Sequence, residues 1–191
     1  ENVPVKKRDP RTDEYYLEVE DHGDHLLSFP LLNKGTAFTL AERDELGVAG
    51  LLPPHVMTME RHVEMEIANN RLKQKDIERY IHLTALMDRN ETLFCRLVLE
   101  HVEELLPIVY TPTVGEACQK FDRIFRRGRG LYVSDQDRGK VDKILENWPI
   151  DKVELLVVTG GDRIHRRGDL GASGMRLPIG HLAIHVIGTV L

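Results

Sequence analysis

One short segment of the chain combines a potentially reactive tyrosine with neighbours that restrict it. In residues 107–115, Tyr110 stands between the β-branched pair Ile108 and Val109 and the ring of Pro112. The β-branched pair predicts extended backbone, and Pro112 predicts its end. Residues 113–116 have the Thr-x-x-Glu spacing of a capping box, which predicts a helix start. A phenol fixed in this way can donate a proton in catalysis, or it can be a buried tyrosine bonded to a backbone carbonyl. The segment alone leaves both interpretations open.

Two histidines near the end of the chain form a second pattern. His181 and His185 are four residues apart in a predicted helix, the spacing that places two metal ligands on one face. An imidazole titrates near neutrality and can also act as a general base. No glutamate accompanies the pair and no third ligand is evident. The sequence therefore predicts no metal site here, and drift or a partly buried histidine is the simpler interpretation.

The composition bounds the class of protein. With 191 residues, 41% of them hydrophobic and 30% charged, the chain is typical of a globular protein. A net charge of −5 and a pI near 6.0 argue against a nucleic-acid binder. The sequence contains a local arginine cluster, which predicts a solvated helix end. Its members are Arg123, Arg126, Arg127 and Arg129.

The compartment and redox state follow from what the sequence contains. No apolar run reaches the length of a membrane span, and no signal-peptide pattern opens the chain, so we expect neither membrane nor secretion. Cys95 and Cys118 lie in helical apolar patterns, which predicts core thiols and no disulfide. A cytoplasmic location is expected, or the mitochondrial matrix in a eukaryote.

The first part of the chain predicts a polar arm followed by helices. Residues 1–28 carry no sustained period, and residues 29–128 read as a helical domain. Thr39 opens a capping box, and Gly47 is placed to stop that short helix. The later helices are predicted to begin at Pro53-Pro54, at Asp76, after Asn90 and at Thr113.

The pattern changes after residue 128. Residues 130–134 and 153–159 predict two strands, and a helix between them begins at Asp137 and ends at Pro149. Strand, helix and strand over this length predict a βαβ unit. A last helix is predicted from near Pro178. Residues 129–191 would then be an incomplete βαβ domain, because two parallel strands are rarely stable alone. The predicted fold class is α+β to α/β, with a helical amino-terminal domain and a truncated parallel sheet.

Several segments, in this order, resemble the malic enzymes. They are residues 30–38, 50–54, 89–94, 107–115, 137–139, 157–159, 163–164 and 168–171. The most specific is the Tyr-Thr-Pro-Thr-Val-Gly run that begins at Tyr110. The resemblance covers the family's amino-terminal portion only, which is the helical domain and the first strands of the malate-binding domain.

The resemblance implies an activity and roles for single residues. Malic enzymes oxidatively decarboxylate malate to pyruvate and carbon dioxide with NAD or NADP and a divalent Mg²⁺ or Mn²⁺ ion. Tyr110 matches the family's general acid, which protonates the enolate carbon. Arg163 matches an arginine that contacts the malate carboxylate and the nicotinamide end of the cofactor, a role that suits a guanidinium fork. The family's acidic metal ligands and dinucleotide domain match positions beyond residue 191.

The sequence also departs from the family. Gly160 stands where an Asp is usual, and residues 165–168 replace a Leu-Gly-Leu-Gly run. His181 stands where the family has the lysine that acts as general base. The glycines of residues 160–174 do not form a G-x-G-x-x-G turn, so we interpret them as a substrate-domain loop.

Two functions are therefore expected from different classes. The chain is interpreted first as an amino-terminal fragment of a malic enzyme that is inactive on its own, since the base, metal ligands and cofactor domain are missing from it. The alternative is a non-catalytic dimerisation or regulatory module, because malic enzymes generally pair through their amino-terminal helices. A homo-oligomer is expected in either case.

Overall fold

The computed structural model describes residues 5–13, 15–149, 153–162 and 168–189. The described part begins with an antiparallel hairpin of β1 (Val5–Arg8) and β2 (Tyr15–Glu18), in which Lys6 pairs with Leu17. The helices that follow are α1 (Asp24–Ser28), α2 (Leu40–Glu45), α3 (Met59–Arg71), α4 (Asp76–Arg89), α5 (Glu91–Glu100), α6 (Val102–Val109), α7 (Thr113–Gln119), α8 (Phe121–Ile124), α9 (Val141–Leu145) and α10 (Arg176–Thr189). Three short 3-10 helices cover Gly35–Ala37, Asp135–Asp137 and Gly171–Met175.

The main core is built from α3 to α8 together with α10. Helix α4 packs against α5, α6 and α7, and α10 packs across α5 and α7. The fully buried side chains at its centre are Leu83, Leu86, Leu97, Leu105 and Val114. Removing such side chains from water is the main favourable term for this helical block.

A smaller core lies under the loops around α1 and α2. It contains Leu26, Leu32, Phe38 and Val48. Beside it the buried Arg43 guanidinium donates to four backbone carbonyls, those of Phe38 (2.9 Å), Pro53 (2.7 Å), Thr36 (3.1 Å) and His55 (3.3 Å). Because loop carbonyls satisfy a buried charge, Arg43 ties residues 36–55 into one unit.

Several predicted helix ends are confirmed. Thr39 and Glu42 form the capping box at the start of α2, and Gly47 follows that helix with a φ of +65°. Asp76 is the first residue of α4. The Asn90 side chain accepts from the Leu93 N–H at 2.9 Å and caps α5. The starts at Thr39 and Asn90 were predictable because the cap is a local contact between side chain and backbone.

Other predicted boundaries are wrong. Helix α3 begins at Met59 behind the cap Thr58, whereas Pro53 and Pro54 lie earlier, in the segment held by Arg43. The helix after Asn90 ends at Glu100, and α6 starts separately at Val102. The predicted polar arm includes the hairpin and α1, whose Leu26 is buried.

The βαβ unit predicted for residues 129–191 is not confirmed. No strand pairing is found in residues 130–134 or 153–159. Among the described residues, the sheet consists of the β1–β2 hairpin alone. Leu155, Leu156 and Val158 are 51%, 73% and 81% exposed. A strand needs a neighbour for its backbone groups, and the described residues offer these segments none. The helix predicted from Asp137 to Pro149 is reduced to the short α9.

Candidate functional site

Tyr110 lies at the end of α6, on the turn that leads into α7. Its N–H donates to the Leu106 carbonyl at 2.9 Å, and its carbonyl accepts from the Val114 N–H at 2.8 Å. Its neighbours Val109 and Val114 are buried, and Tyr110 itself is half-buried. The backbone on both sides of the phenol is therefore fixed by the two helices.

The local structure around Tyr110 differs from the prediction. Ile108 and Val109 are helical where extended backbone was predicted, and Pro107 lies inside the same helix, α6. Burial of Ile108 and Val109 against the core outweighs their weak preference for extended backbone. Thr113 is the buried first residue of α7 and makes no cap; Pro112 occupies the cap position.

Helix α10 approaches this turn closely because residue 180 is a glycine. A Cβ built on Gly180 would lie 3.1 Å from the Val109 carbonyl oxygen and 3.4 Å from Cδ2 of Tyr110. A side chain at this position would be tighter than an ordinary contact and would require a shift of a few tenths of an ångström. Sequence reasoning missed this position, although a glycine inside an apolar helix is the available signal for close packing.

His181 follows Gly180 and faces the phenol. The ring centroids of Tyr110 and His181 are 5.5 Å apart, with an interplanar angle of 36°. The His181 and His185 rings are stacked, with centroids 5.2 Å apart and planes inclined by 23°. Both histidines are exposed. The fold thus brings together two predicted site residues that are distant in the sequence.

Arg163 lies outside the described residues. The described segments that flank it meet, because the Leu170 N–H donates to the Gly161 carbonyl at 2.8 Å. A Cβ on Gly161 would lie 2.5 Å from the Gly171 carbonyl oxygen, so these backbones also pack directly on one another. The glycine-rich segment then passes through the 3-10 helix Gly171–Met175 into α10.

A buried arginine at the start of α10 was also missed. Arg176 donates to the Ile124 carbonyl at 3.4 Å, and its guanidinium lies 5.5 Å from the Phe121 ring centroid. Its Nε is buried without a hydrogen-bond partner in the described part of the chain. The nearby Tyr80 is also buried, and this burial raises the pKa of its phenol.

A cavity of about 270 Å³ lies elsewhere, lined by residues of α3, by Arg89 of α4 and by the loop before α2. Glu66, which lines it, is paired with His82 at 2.9 Å and with Arg89 at 2.7 Å. The hydrogen bond from His82 lowers the pKa of Glu66. His62 bonds to the Thr36 hydroxyl at 2.7 Å, and burial lowers its pKa. The charged groups at the cavity therefore pair with one another.

The cysteines do not add chemistry to the site. Cys95 and Cys118 form no disulfide in the described part of the chain, as predicted, and burial raises the pKa of Cys95 to about 11. A thiol with that pKa is almost entirely protonated at neutral pH and is a poor nucleophile.

The side chains around Tyr110 do not fit the divalent ion that the resemblance implies. In residues 5–13, 15–149, 153–162 and 168–189, no three His, Cys, Asp or Glu side chains converge as metal ligands. Mg²⁺ takes oxygen ligands, chiefly carboxylates and water, whereas the groups beside Tyr110 are imidazoles. The described residues therefore assign no step of the reaction to that ion. Within the same ranges, none of the helices has the length and apolarity to cross a bilayer.

Comparison with known proteins decides the family. The model of the malic enzyme N-terminal domain matches residues 87–190, which is more than half of the chain. The chain belongs to the malic enzyme family. The resemblance found in the sequence is confirmed.

Individual malic enzymes agree with this assignment. The hydrogenosomal malic enzyme of Neocallimastix frontalis is 48% identical over 166 residues, which are 87% of this chain and 28% of that protein. NADP-dependent malic enzyme 1 of Arabidopsis thaliana is 50% identical over 163 residues, 85% of this chain and 28% of that protein. NAD-dependent malic enzyme 2 of Vibrio vulnificus is 46% identical over 167 residues, which are 87% of this chain and 30% of that protein. The chain spans less than a third of these relatives.

Proposed function

We propose that this chain contributes the acid-bearing part of a malic enzyme, which converts malate to pyruvate and carbon dioxide with NAD or NADP as hydride acceptor. The observation that carries the proposal is the contact of Tyr110 with His181, at a ring centroid distance of 5.5 Å. The resemblance assigns the general acid to the first position and the general base to the second. Their proximity in this fold supports one shared active centre.

Tyr110 acts as the proton donor in this proposal. After carbon dioxide leaves, the enolate carbon takes the proton of the Tyr110 hydroxyl, and the phenolate must then be reprotonated. The two hydrogen-bonded helix ends keep the phenol in one place, so little conformational freedom is lost when the substrate binds. Gly180 keeps residue 181 beside the phenol.

His181 is the weak member of the pair. An imidazole can accept the malate hydroxyl proton, but it is shorter than lysine and lacks the ammonium charge that would polarise the substrate. Loss of one member of a catalytic unit usually costs orders of magnitude in rate. We therefore expect the 191-residue chain to show no measurable malate turnover.

A chimera tests the proposal directly. Residues 87–190 would replace the matching segment of Vibrio vulnificus NAD-dependent malic enzyme 2, which is 46% identical to this chain. We expect slow malate-dependent formation of reduced nicotinamide, a gain of at least about tenfold in kcat for His181→Lys, and loss of turnover for Tyr110→Phe.

Two results would contradict parts of this proposal, the first the role of Tyr110 and the second the expected inactivity of the chain alone. One is a chimera that folds and whose turnover is unchanged by Tyr110→Phe. The other is a malate-dependent signal from the 191-residue chain itself with added Mg²⁺ or Mn²⁺, which would contradict the inactivity. The matched control is Tyr132→Phe, a phenol more exposed than that of Tyr110, which should leave the rate unchanged.

A second candidate is an association module, in which the helices pair with another copy. Leu72, Val102 and Leu106 are exposed at the end of α3 and on α6. Val102 and Leu106 lie four residues apart on α6 and therefore share one face of that helix. Sedimentation of the parent and of Leu106→Asp tests this candidate. A dimer that the substitution dissociates supports it, and a monomeric parent removes it.

A further inference from the structure

His181 and His185 are arranged as a pair of ligands. They lie one helical turn apart on α10, and their rings are stacked at 5.2 Å with planes inclined by only 23°. Two imidazole nitrogens that bind one ion at 2.0–2.1 Å must come within about 4 Å of each other. Both side chains are exposed, and the χ2 torsion of histidine is broad, so a small ring rotation brings the nitrogens to that separation.

The nitrogens of this pair are available. Neither the His181 nor the His185 side chain makes a hydrogen bond within the described part of the chain. Other histidines are engaged: Nδ1 of His22 contacts the Glu20 carbonyl at 2.7 Å, and Nδ1 of His25 contacts Asp21 at 3.0 Å. A ring nitrogen already held by the protein has to break that contact before it binds an ion.

The surroundings do not oppose a cation. Between Leu177 and Thr189 the sequence of α10 contains no Lys or Arg, so the helix places no permanent positive charge beside the pair. The Tyr110 ring lies on the other side of His181, with its centroid 5.5 Å from that of the imidazole. An ion bound between the imidazoles would therefore lie near the phenol.

We propose that His181 and His185 form a two-ligand site for a divalent transition ion of the Zn²⁺, Ni²⁺ and Cu²⁺ class. Imidazole suits these ions, and water completes the coordination. The site differs in chemistry from the oxygen site of Mg²⁺ or Mn²⁺. Its consequence is inhibitory: an ion held here occupies the space near Tyr110 and withdraws His181 from proton transfer.

The test uses the 191-residue chain and metal alone. Isothermal titration with Ni²⁺ and with Zn²⁺ should show one site per chain, tightest for Cu²⁺ if that ion is added, in keeping with the general order of affinity. His181→Gln and His185→Gln should each weaken Ni²⁺ binding by about tenfold or more, because a chelating pair becomes a single ligand. A large excess of Mg²⁺ should not displace Ni²⁺.

Matched controls locate the site. The double variant His22→Gln and His25→Gln, and the single variant His101→Gln, should bind Ni²⁺ as the parent does. Paramagnetic broadening by Ni²⁺ should affect the signals of His181, His185 and Tyr110 before those of other residues. Circular dichroism without metal checks that the glutamine variants keep the helical fold.

Several results would overturn the proposal. They are unchanged affinity in both α10 variants, loss of binding in the His22 and His25 double variant, or displacement of Ni²⁺ by Mg²⁺ at similar concentration. The proposal goes beyond the function proposed above, and metal binding is measured without malate. Its failure and the failure of the enzymatic proposal are therefore separate outcomes.

Discussion

The helical block of α3 to α7 and the segment of residues 130–158 contain similar apolar side chains but use them differently. In the helical block Leu86, Leu97 and Leu105 are completely buried. In the later segment Leu155 and Leu156 are more than half exposed. Helices satisfy their own backbone hydrogen bonds and need only a packing partner, whereas strands need a partner for the backbone itself. Local sequence is therefore sufficient to form the helices of the first region, but not to form strands in the second.

Ion pairs are also arranged differently in the helical block and in the later segment. In the helical block Glu104 is paired with Arg71 at 2.7 Å and Arg79 at 2.5 Å, which ties α3, α4 and α6 together. Arg129, near the start of the later segment, turns back onto α4 through Asp88 at 2.8 Å. The contacts of the later segment thus anchor it at its beginning.

The largest effect is expected from a cavity in the helical block. Leu97→Ala removes a fully buried side chain of α5 and should lower the free energy of unfolding by about 3 kcal/mol. Urea unfolding measures it. Leu156→Ala, in the exposed segment, is the matched control and should change stability little. Equal losses for the two would mean that the segments are not packed differently.

A smaller effect is expected at the two buried arginines, which have different partners. Arg43→Met leaves several loop carbonyls without their donor and should cost about 2 kcal/mol. Arg176→Met removes a buried guanidinium that donates to the Ile124 carbonyl at 3.4 Å and interacts with Tyr80, while its Nε has no partner in the described residues, so it should cost less stability than Arg43→Met. Thermal unfolding of the two variants compares them. The reverse order would show that Arg176 is the better satisfied group.

The helix caps test the local part of the comparison. Asn90→Ala removes the side-chain acceptor at the start of α5 and should cost about 1 kcal/mol. Lys75 stands at the same position of α4 without a side-chain cap bond, so Lys75→Ala should be nearly neutral. Urea unfolding of both variants checks this difference, and a comparable loss at Lys75 would contradict it.

Acid should weaken the ion-paired block through Glu66. The hydrogen bond from His82 lowers the pKa of Glu66 in the folded protein, so its stabilisation is complete above the ordinary glutamate pKa. The stabilisation is lost as the pH falls through the folded-state pKa. Glu66→Gln should therefore be less stable than the parent at pH 7, and the difference should shrink towards about pH 3. A difference that is constant with pH would exclude this linkage.

The smallest effect on stability is expected in the exposed segment. Leu156→Asp should leave the urea midpoint nearly unchanged, because the side chain is 73% exposed. It should instead reduce self-association at high protein concentration, measured by light scattering, since exposed apolar runs of this kind promote aggregation. A clear loss of stability would show that Leu156 is packed in solution.

The helices of this fold could be predicted where their ends are encoded locally. Thr39 and Asn90 each bond a backbone N–H three residues ahead, so the sequence near the helix start is sufficient. The start of α3 is also encoded locally, because Thr58 accepts from the Arg61 N–H at 3.2 Å; the prediction chose Pro53-Pro54 instead, and these prolines lie in the segment held by Arg43. The helical state of Ile108 and Val109, by contrast, depends on burial against other elements.

The site was predictable in its parts but not in its assembly. Tyr110 could be identified from its neighbours, and His181 from the pattern around it. Their contact depends on how α10 crosses α5 and α7, which no local pattern encodes. Gly180 makes that crossing close, but its role appears only when a Cβ is placed on the folded backbone.

The glycine contact also affects how this site can change over time. At Gly180 the helix α10 approaches the Tyr110 turn without a side chain between them, and a Cβ there would lie 3.1 Å from the Val109 carbonyl oxygen. The size of the neighbouring side chain at 181 does not enter into that spacing. A mutation at 181 can therefore exchange one titrating group for another while the phenol stays where it is, which makes position 181 an adaptable point in an otherwise rigid frame.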